Sequence, residues 1–164
     1  MLLNFLMDKK FEQLPLRNGV GIVLLNSENK VFVAKRIDNP KKFWQMPQGG
    51  VNKNEDFYTA ALRELKEETS IVSVKLIKEI QDKFTYVLPD YLIGIIWKGK
   101  FKGQKQKWFI MRFTGNESEI NIKTKHPEFL DWKWINLEDL TQIAVNFKLE
   151  VYKQIKSEVK KIFV

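Results

Sequence analysis

The segment from Gly49 to Ile71 places three glutamates on one stripe of a predicted helix. Glu64, Glu67 and Glu68 are three and four residues apart, so their side chains share one helix face. Like charges at this spacing destabilise an isolated helix by about 0.2–0.5 kcal/mol per pair. Carboxylate oxygens are ligands that a magnesium-type cation prefers. The stripe therefore predicts a divalent-metal site that brings the metal to a phosphate, and the alternative is an acidic helix face in contact with solvent.

The composition excludes several kinds of catalysis. The chain has no cysteine, which rules out disulfides, thiolate metal sites and thiol nucleophiles. Its one histidine, His126, rules out a zinc site with several histidines, and we expect it to be a loop residue without a catalytic role. Catalysis must therefore rest on carboxylates, lysines, hydroxyl groups or a bound metal.

The charge and the apolar segments suggest partners and location. The net charge of +8 favours polyanions such as RNA or nucleotides, although solubility alone also explains it. The apolar run from Met1 to Met7 is shorter than the roughly 20 residues of a membrane span, and it lacks the features of a secretory signal. We expect a cytoplasmic protein without a membrane partner, with residues 1–10 as an extension of unknown role.

The pattern of apolar residues predicts one mixed α/β (α+β) domain in this chain of 164 residues. The central helix should begin near Glu55. A C-terminal helix should begin after Asn136 as its cap, and a last helix should follow a break near residues 146–148. Strands are predicted at 20–25, 30–35, 72–80, 84–88, 91–97, 107–113 and 132–135.

The glutamate stripe also stands in a longer pattern. The signature G-x5-E-x7-R-E-U-x-E-E-x-G-U, where U is bulky and aliphatic, is that of the Nudix hydrolases, and this chain resembles it closely. The matching residues are Gly49, Glu55, Arg63, Glu64, Leu65, Glu67, Glu68 and Ile71. Ser70 stands where the family has glycine, so we expect a left-handed serine that costs about 1 kcal/mol.

The resemblance extends over roughly residues 14–163, in the branch of bacterial RNA pyrophosphohydrolases and dinucleoside polyphosphate hydrolases. It implies one Nudix domain over residues 11–164, built as an α/β/α sandwich with a mixed β-sheet, a central catalytic helix and C-terminal helices. The segments that carry it are 14–21, 44–50, 103–109, 119–122, 127–129 and 132–134.

The resemblance implies that Mg²⁺ or Mn²⁺ is held by four glutamates together with Gly49. These glutamates are Glu64, Glu67, Glu68 and Glu119. Glu68 is our first choice for the general base and Glu119 our second, and the sequence does not separate ligand from base. Structural support of the site is expected from Glu55, Arg63 and Gly50, with Arg63 pairing with Glu67.

The branch also implies contacts to the 5′ nucleotides. The expected residues are Arg36, Tyr86, Phe147 and Lys148, with Gln45, Gln48 and Lys105 as further candidates. Phe147 can stack on a base, or it can cap the core at a helix break. For Arg36 and Lys148 the alternative is ordinary surface charge.

The function implied by the resemblance is that of a metal-dependent RNA 5′-pyrophosphohydrolase, which converts 5′-triphosphate ends to 5′-monophosphates and promotes mRNA decay. One alternative is a dinucleoside polyphosphate hydrolase, acting for example on diadenosine tetraphosphate. Another is a non-catalytic RNA-binding protein of the same fold. We expect a monomer and leave room for a protein activator.

Overall fold

The computed structural model describes residues 11–38 and 43–163. Within these residues, three strands precede the first α-helix, and four more strands separate it from the second. The elements are β1 (Leu16–Leu25), β2 (Val31–Arg36), β3 (Gln48–Gly50), α1 (Phe57–Thr69), β4 (Val74–Glu79), β5 (Phe84–Val87), β6 (Gly103–Phe113), β7 (Phe129–Ile135) and α2 (Leu149–Lys160).

The strands form one mixed sheet in the order β4-β6-β1-β2-β7. β1 and β6 run parallel, and every other pairing is antiparallel. β3 pairs with the first half of β1, whereas β2 pairs with its end. The loop that carries β3 therefore lies beside the middle of the sheet.

Both faces of the sheet are covered, which explains the continuous apolar run of β1. Val20, Ile22 and Leu24 pack into the core that contains residues of α1. Val23 and Leu25 point to the other face, where α2 packs. The predicted α/β/α sandwich is confirmed.

The bounds of α1 follow from its two caps. Asp56 is the N-cap, and its carboxylate accepts a hydrogen bond from the Thr59 backbone N at 2.8 Å. Ser70 ends the helix with a φ of 66°, the left-handed conformation expected from the sequence. Its hydroxyl donates to the Asn121 carbonyl at 2.9 Å, which partly offsets the cost of that conformation.

The strand predicted over residues 91–97 is wrong. This segment forms successive turns, and Gly94 within it has a φ of 100°. Tyr91 and Ile95 are 73% and 74% exposed, so the apolar run is not a buried strand. A short apolar run does not by itself distinguish a strand from a folded-back loop.

The helix predicted to begin after Asn136 and to end at a break near residues 146–148 is also wrong. Only two short 3-10 turns form there, at Leu137–Asp139 and Asn146–Lys148. The carbonyl of Ile143 accepts the backbone N–H of Trp44 at 3.0 Å, so it is used in a tertiary contact. The last helix, α2, forms as the pattern of apolar residues predicted. Within the described part of the chain, no helix is long and apolar enough to cross a membrane.

Candidate active site

A cleft of about 850 Å³ opens where β3, α1 and the 3-10 turn Asn146–Lys148 meet. One part of its lining is charged or polar, and another is aliphatic and aromatic. The cleft is lined by Arg17, Arg36, Asp38, Phe43, Trp44, Gln45, Gln48, Gly49, Gly50, Glu64, Glu68, Tyr86, Leu88, Tyr91, Leu92, Ile95, Ile96, Trp97, Glu128, Val145, Phe147 and Lys148.

The three glutamates of α1 have different surroundings. Glu68 is 6% exposed and the Glu64 side chain 15%, and both line the cleft. The Glu67 side chain is 58% exposed and is not among the lining residues. The structure thus brings two of the three predicted helix ligands into the cleft and leaves Glu67 at its margin.

Arg63 holds the signature helix against the β3 loop. Its Nε and Nη2 donate to the two Glu55 carboxylate oxygens at 2.8 and 2.9 Å, and Nη2 also donates to the Gly50 carbonyl at 2.8 Å. Nη1 contacts Glu64 at 2.9 Å and Glu67 at 3.2 Å. The Arg63 guanidinium, with the backbone N of Asn52, lowers the pKa of Glu55 to about 2. Arg63 therefore spans Glu55, the loop and both neighbouring helix carboxylates.

Glu68 carries an unsatisfied buried oxygen. Its Oε2 receives no hydrogen bond from the residues that the structure describes. Burial raises the pKa of Glu68 well above its usual range, and the nearby carboxylates of Glu128 and Glu64 raise it further. Two ionised carboxylates cannot hydrogen-bond each other, so Glu68 and its carboxylate neighbours need a shared proton or a bound cation to lie this close together.

Glu128 was missed by sequence reasoning as a site residue. It lies directly before β7, and its carbonyl accepts the Ile37 backbone N–H at 2.9 Å, which fixes it beside the end of β2. A register shift between Lys35 and Arg36 accompanies this pairing. The sequence signal was present, because Glu128 belongs to the segment 127–129 that supports the resemblance.

Glu119, expected to be a further metal ligand, is not brought to the cleft. Its Oε1 accepts from the Ser73 hydroxyl at 2.7 Å, and it is the last residue of a 3-10 turn, Glu117–Glu119. Just after this turn, the Asn121 backbone N donates to the carbonyl of Thr69 at the end of α1. The neighbouring Glu117 accepts from Trp134 Nε1 at 2.9 Å. The long loop after β6 thus leads both carboxylates to other partners, and Glu128 is the carboxylate beside Glu68.

The acidic residues of the cleft suit a divalent cation, although they do not form a complete set of metal ligands. Among the described residues, no three acidic or histidine side chains already converge on one point as metal ligands. Glu64, Glu68 and Glu128 nevertheless line one cleft, and Glu68 Oε2 is buried without a donor. An all-oxygen donor set with an unsatisfied carboxylate is what Mg²⁺ or Mn²⁺ prefers.

Gly49 is required by its contact with Glu64. A Cβ at this position would overlap the Glu64 side chain. A Cβ at Gly50 would likewise overlap the guanidinium of Arg17, a cleft residue that the sequence did not indicate. These two glycines therefore let the loop backbone approach the side chains of the cleft.

Six of the seven expected nucleotide contacts line the cleft. The rings of Tyr86 and Phe147 are 5.8 Å apart, and the Lys148 ammonium lies 5.4 Å from the Tyr86 ring centre. Lys148 is 7% exposed and donates to Gln45 Oε1 at 3.3 Å. Burial, and secondarily the charge of Arg36, lowers the pKa of Lys148 to about 7. Lys148 is therefore a buried amine whose pKa lies near neutrality, next to two aromatic rings, unlike ordinary surface charge.

Gln48 belongs to a chain of side-chain hydrogen bonds under the cleft. It donates to the Tyr86 hydroxyl at 3.2 Å and accepts from Gln106 at 3.2 Å. Gln106 also contacts Gln104 at 2.6 Å. Burial raises the pKa of Tyr86 to about 12, so its hydroxyl remains protonated and able to donate.

Lys105 is the expected contact that does not reach the cleft. It lies between Gln104 and Gln106 on β6, and side chains alternate along a strand. Because the two glutamines are buried beneath the cleft, Lys105 is exposed on the other side of the strand. Arg36, in contrast, lines the cleft and donates to Asp38 at 2.8 and 2.9 Å.

Comparison with known proteins identifies the family of the chain. The NUDIX domain model matches residues 15–155. The RNA pyrophosphohydrolase of Pelagibacter ubique is 68% identical over 149 residues, which cover 91% of this chain and 94% of that protein. The RNA pyrophosphohydrolase of Rhodospirillum rubrum is 48% identical over 145 residues, with 88% and 87% covered.

A solved structure shares the fold at lower sequence identity. The E. coli dihydroneopterin triphosphate pyrophosphohydrolase is similar with a TM-score of 0.69 and 21% identity, over 88% of this chain and 99% of that one. Nudix hydrolases in general use divalent metal ions. On the match of the domain model and the identity to its relatives, the chain belongs to the Nudix family of hydrolases, which act on phosphoanhydride bonds.

Proposed function

We propose that the chain is an RNA 5′-pyrophosphohydrolase that converts 5′-triphosphate ends to 5′-monophosphates. The observation that carries this proposal is the arrangement of the cleft, in which Glu64, Glu68 and Glu128 line the same space as Phe147 and Lys148. A polyphosphate attached to a nucleoside needs both kinds of surface at once. The names of the two bacterial relatives support RNA as the substrate.

The carboxylates are proposed to hold Mg²⁺ or Mn²⁺. Glu64, Glu68 and Glu128 are the residues that would do so, with the Gly49 backbone beside them and Glu67 at the margin. A divalent ion bound there supplies charge neutralisation for the polyphosphate and a lower pKa for the attacking water. Glu119 forms a hydrogen bond to Ser73 and is not part of this proposal.

The residues of the chain have distinct roles in the reaction. Water adds to a phosphorus atom, and a phosphoanhydride bond breaks. Pyrophosphate, or two phosphates in succession, is released, and the RNA keeps a 5′-monophosphate. Glu68 accepts the proton of the water, because it lines the cleft and its Oε2 is buried there without a donor among the described residues. Arg36 and Lys148 attract the phosphates, and Phe147 stacks on a base.

A second candidate is hydrolysis of dinucleoside polyphosphates. Trp97 lines another part of the cleft wall, with the Arg17 guanidinium 5.5 Å from its ring centre. This gives the cleft a second aromatic surface, on which the second nucleoside of such a substrate can stack. The same carboxylates would act on either substrate.

A substrate comparison tests these proposals. With Mg²⁺, we expect faster phosphate release from 5′-triphosphorylated RNA than from diadenosine tetraphosphate at matched concentrations, and none from either with excess EDTA. Faster hydrolysis of the dinucleotide would replace the RNA proposal. RNA binding without hydrolysis of either substrate would leave a non-catalytic RNA-binding protein. If the RNA is hydrolysed faster, we place the reaction in the cytoplasm, where it promotes mRNA decay.

Replacing Gly49 with alanine should lower kcat without unfolding the protein. The new Cβ displaces the Glu64 carboxylate, and we expect a loss of about 10–100-fold, as for other changes that misplace a metal ligand. The matched control is Gly115→Ala, whose Cβ would press on Glu119 instead, at 2.8 Å from its Oε2. Equal losses in the two variants, measured as kcat with circular dichroism to check the fold, would contradict the assigned role of Glu64.

A further inference from the structure

Two lysines hold their ammonium groups against the ring of Trp44. Lys133 Nζ lies 4.2 Å from the ring centre, and Lys35 Nζ lies 4.7 Å from it. Lys35 comes from β2 and Lys133 from the adjacent β7. Lys133 pairs with Val33 across the strands, so these two side chains lie on the same face of the sheet. Lys35 is two residues after Val33 on β2 and therefore projects from that face as well.

Neither ammonium group forms an ion pair with a carboxylate of the described residues. Within residues 11–38 and 43–163, neither Lys35 nor Lys133 forms a salt bridge. Asp131 stands opposite Lys35 in the strand pairing, but its carboxylate accepts the Trp132 backbone N–H at 2.8 Å. The result is a concentration of positive charge on an aromatic side chain.

This surface is continuous with the cleft. Trp44 itself lines the cleft, and the next residue, Gln45, accepts the hydrogen bond from the buried Lys148. Lys35 directly precedes Arg36, another lining residue, and the register shift between the two interrupts the regular pairing of β2 at this point. A chain that leaves the cleft past Arg36 and Trp44 therefore meets Lys35 and Lys133 next.

We propose that Lys35, Trp44 and Lys133 bind the RNA chain downstream of the 5′ nucleotides held in the cleft. The two ammonium groups contact successive phosphates, and the indole contacts a ribose or base, the combination that suits single-stranded nucleic acid. This inference rests on the proposed function and refines its substrate, because a dinucleoside polyphosphate has no downstream chain. The three residues thus favour long RNA over dinucleotides.

Kinetics on two RNAs with the same 5′ end test the proposal. We compare a 5′-triphosphorylated dinucleotide with a dodecamer, using the wild type and the double variant Lys35→Gln/Lys133→Gln. We expect the double variant to raise KM for the dodecamer about fivefold, the effect of two solvent-exposed charge contacts, with kcat unchanged. In a plot of the logarithm of the dodecamer binding constant against the logarithm of the salt concentration, the slope of the double variant should be about 1.4 less steep. Each phosphate contact on a single strand contributes about 0.7 to this slope.

The control removes the same charge elsewhere. Lys75 and Lys123 are exposed and lie outside the cleft lining, so Lys75→Gln/Lys123→Gln should leave the dodecamer KM at the wild-type value. Equal effects of the two double variants, or none from Lys35→Gln/Lys133→Gln, would overturn the proposal. If the wild type hydrolyses neither RNA, the proposed function fails, and fluorescence anisotropy with the labelled dodecamer still decides whether this surface binds RNA.

Discussion

Replacing Glu68 with glutamine is expected to reduce kcat on 5′-triphosphorylated RNA about a thousandfold, as for loss of a general base. The amide cannot accept the water's proton, and it binds a divalent cation more weakly than a carboxylate does. The site is 6% exposed, but glutamine is nearly isosteric with glutamate, so the fold should be retained. The measurement is single-turnover hydrolysis at saturating Mg²⁺. Activity within tenfold of the wild type would exclude Glu68 as the base.

The same substitution should stabilise the metal-free protein at neutral pH. Because the pKa of Glu68 is raised above its ordinary value of 4.5, the folded protein retains a proton that the unfolded chain has released. Stability therefore falls as the pH rises from 4.5 towards the raised pKa, and the full penalty applies above it. Glu68→Gln removes this titration.

Thermal unfolding in EDTA measures this effect. We expect Glu68→Gln to unfold at a higher temperature than the wild type at neutral pH, with the difference vanishing below pH 4.5, where Glu68 is protonated in both states. The control is Glu28→Gln, at a side chain that is 72% exposed. A Tm for Glu68→Gln no higher than that of the control at neutral pH would argue against the buried charge.

Local sequence patterns were sufficient to predict the signature helix and its support. Glu64, Glu68 and Arg63 are fixed relative to one another by helical spacing, and Gly49 is near them in the chain. The ion pair between Arg63 and Glu67 follows from the same spacing. The buried strands were predictable for a similar reason, since continuous apolar runs bounded by turn residues mark them.

The remainder of the cleft depends on contacts between distant segments. Arg17 reaches it because β3 pairs with β1, and Lys148 reaches it from the break predicted before the last helix, where it contacts Gln45. The composition offered one unused clue. The chain has only four arginines, and three of them, Arg17, Arg36 and Arg63, line or brace the cleft. A guanidinium is suited to fixed, multidentate contacts that lysine cannot make.

The choice between Glu119 and Glu128 shows this limit most clearly. Glu119 ends a short 3-10 turn, and Glu128 directly precedes β7. Both lie in segments that resemble the family. Which carboxylate reaches Glu68 is decided by the pairing of β7 with β2, whose register places Glu128 beside Ile37. Register between strands far apart in sequence is not encoded in a local pattern.

A pair of matched substitutions should therefore separate the two carboxylates. We expect Glu128→Gln to lower kcat about 100-fold and to shift the Mg²⁺ dependence to higher concentrations, because the carboxylate beside Glu68 is lost. Glu119→Gln changes the same functional group but only weakens the contact with Ser73, so its activity and Mg²⁺ dependence should match the wild type. Hydrolysis of triphosphorylated RNA titrated with Mg²⁺ provides both readouts. The opposite result, with Glu119→Gln impaired and Glu128→Gln active, would restore Glu119 as a ligand and require the loop after β6 to move.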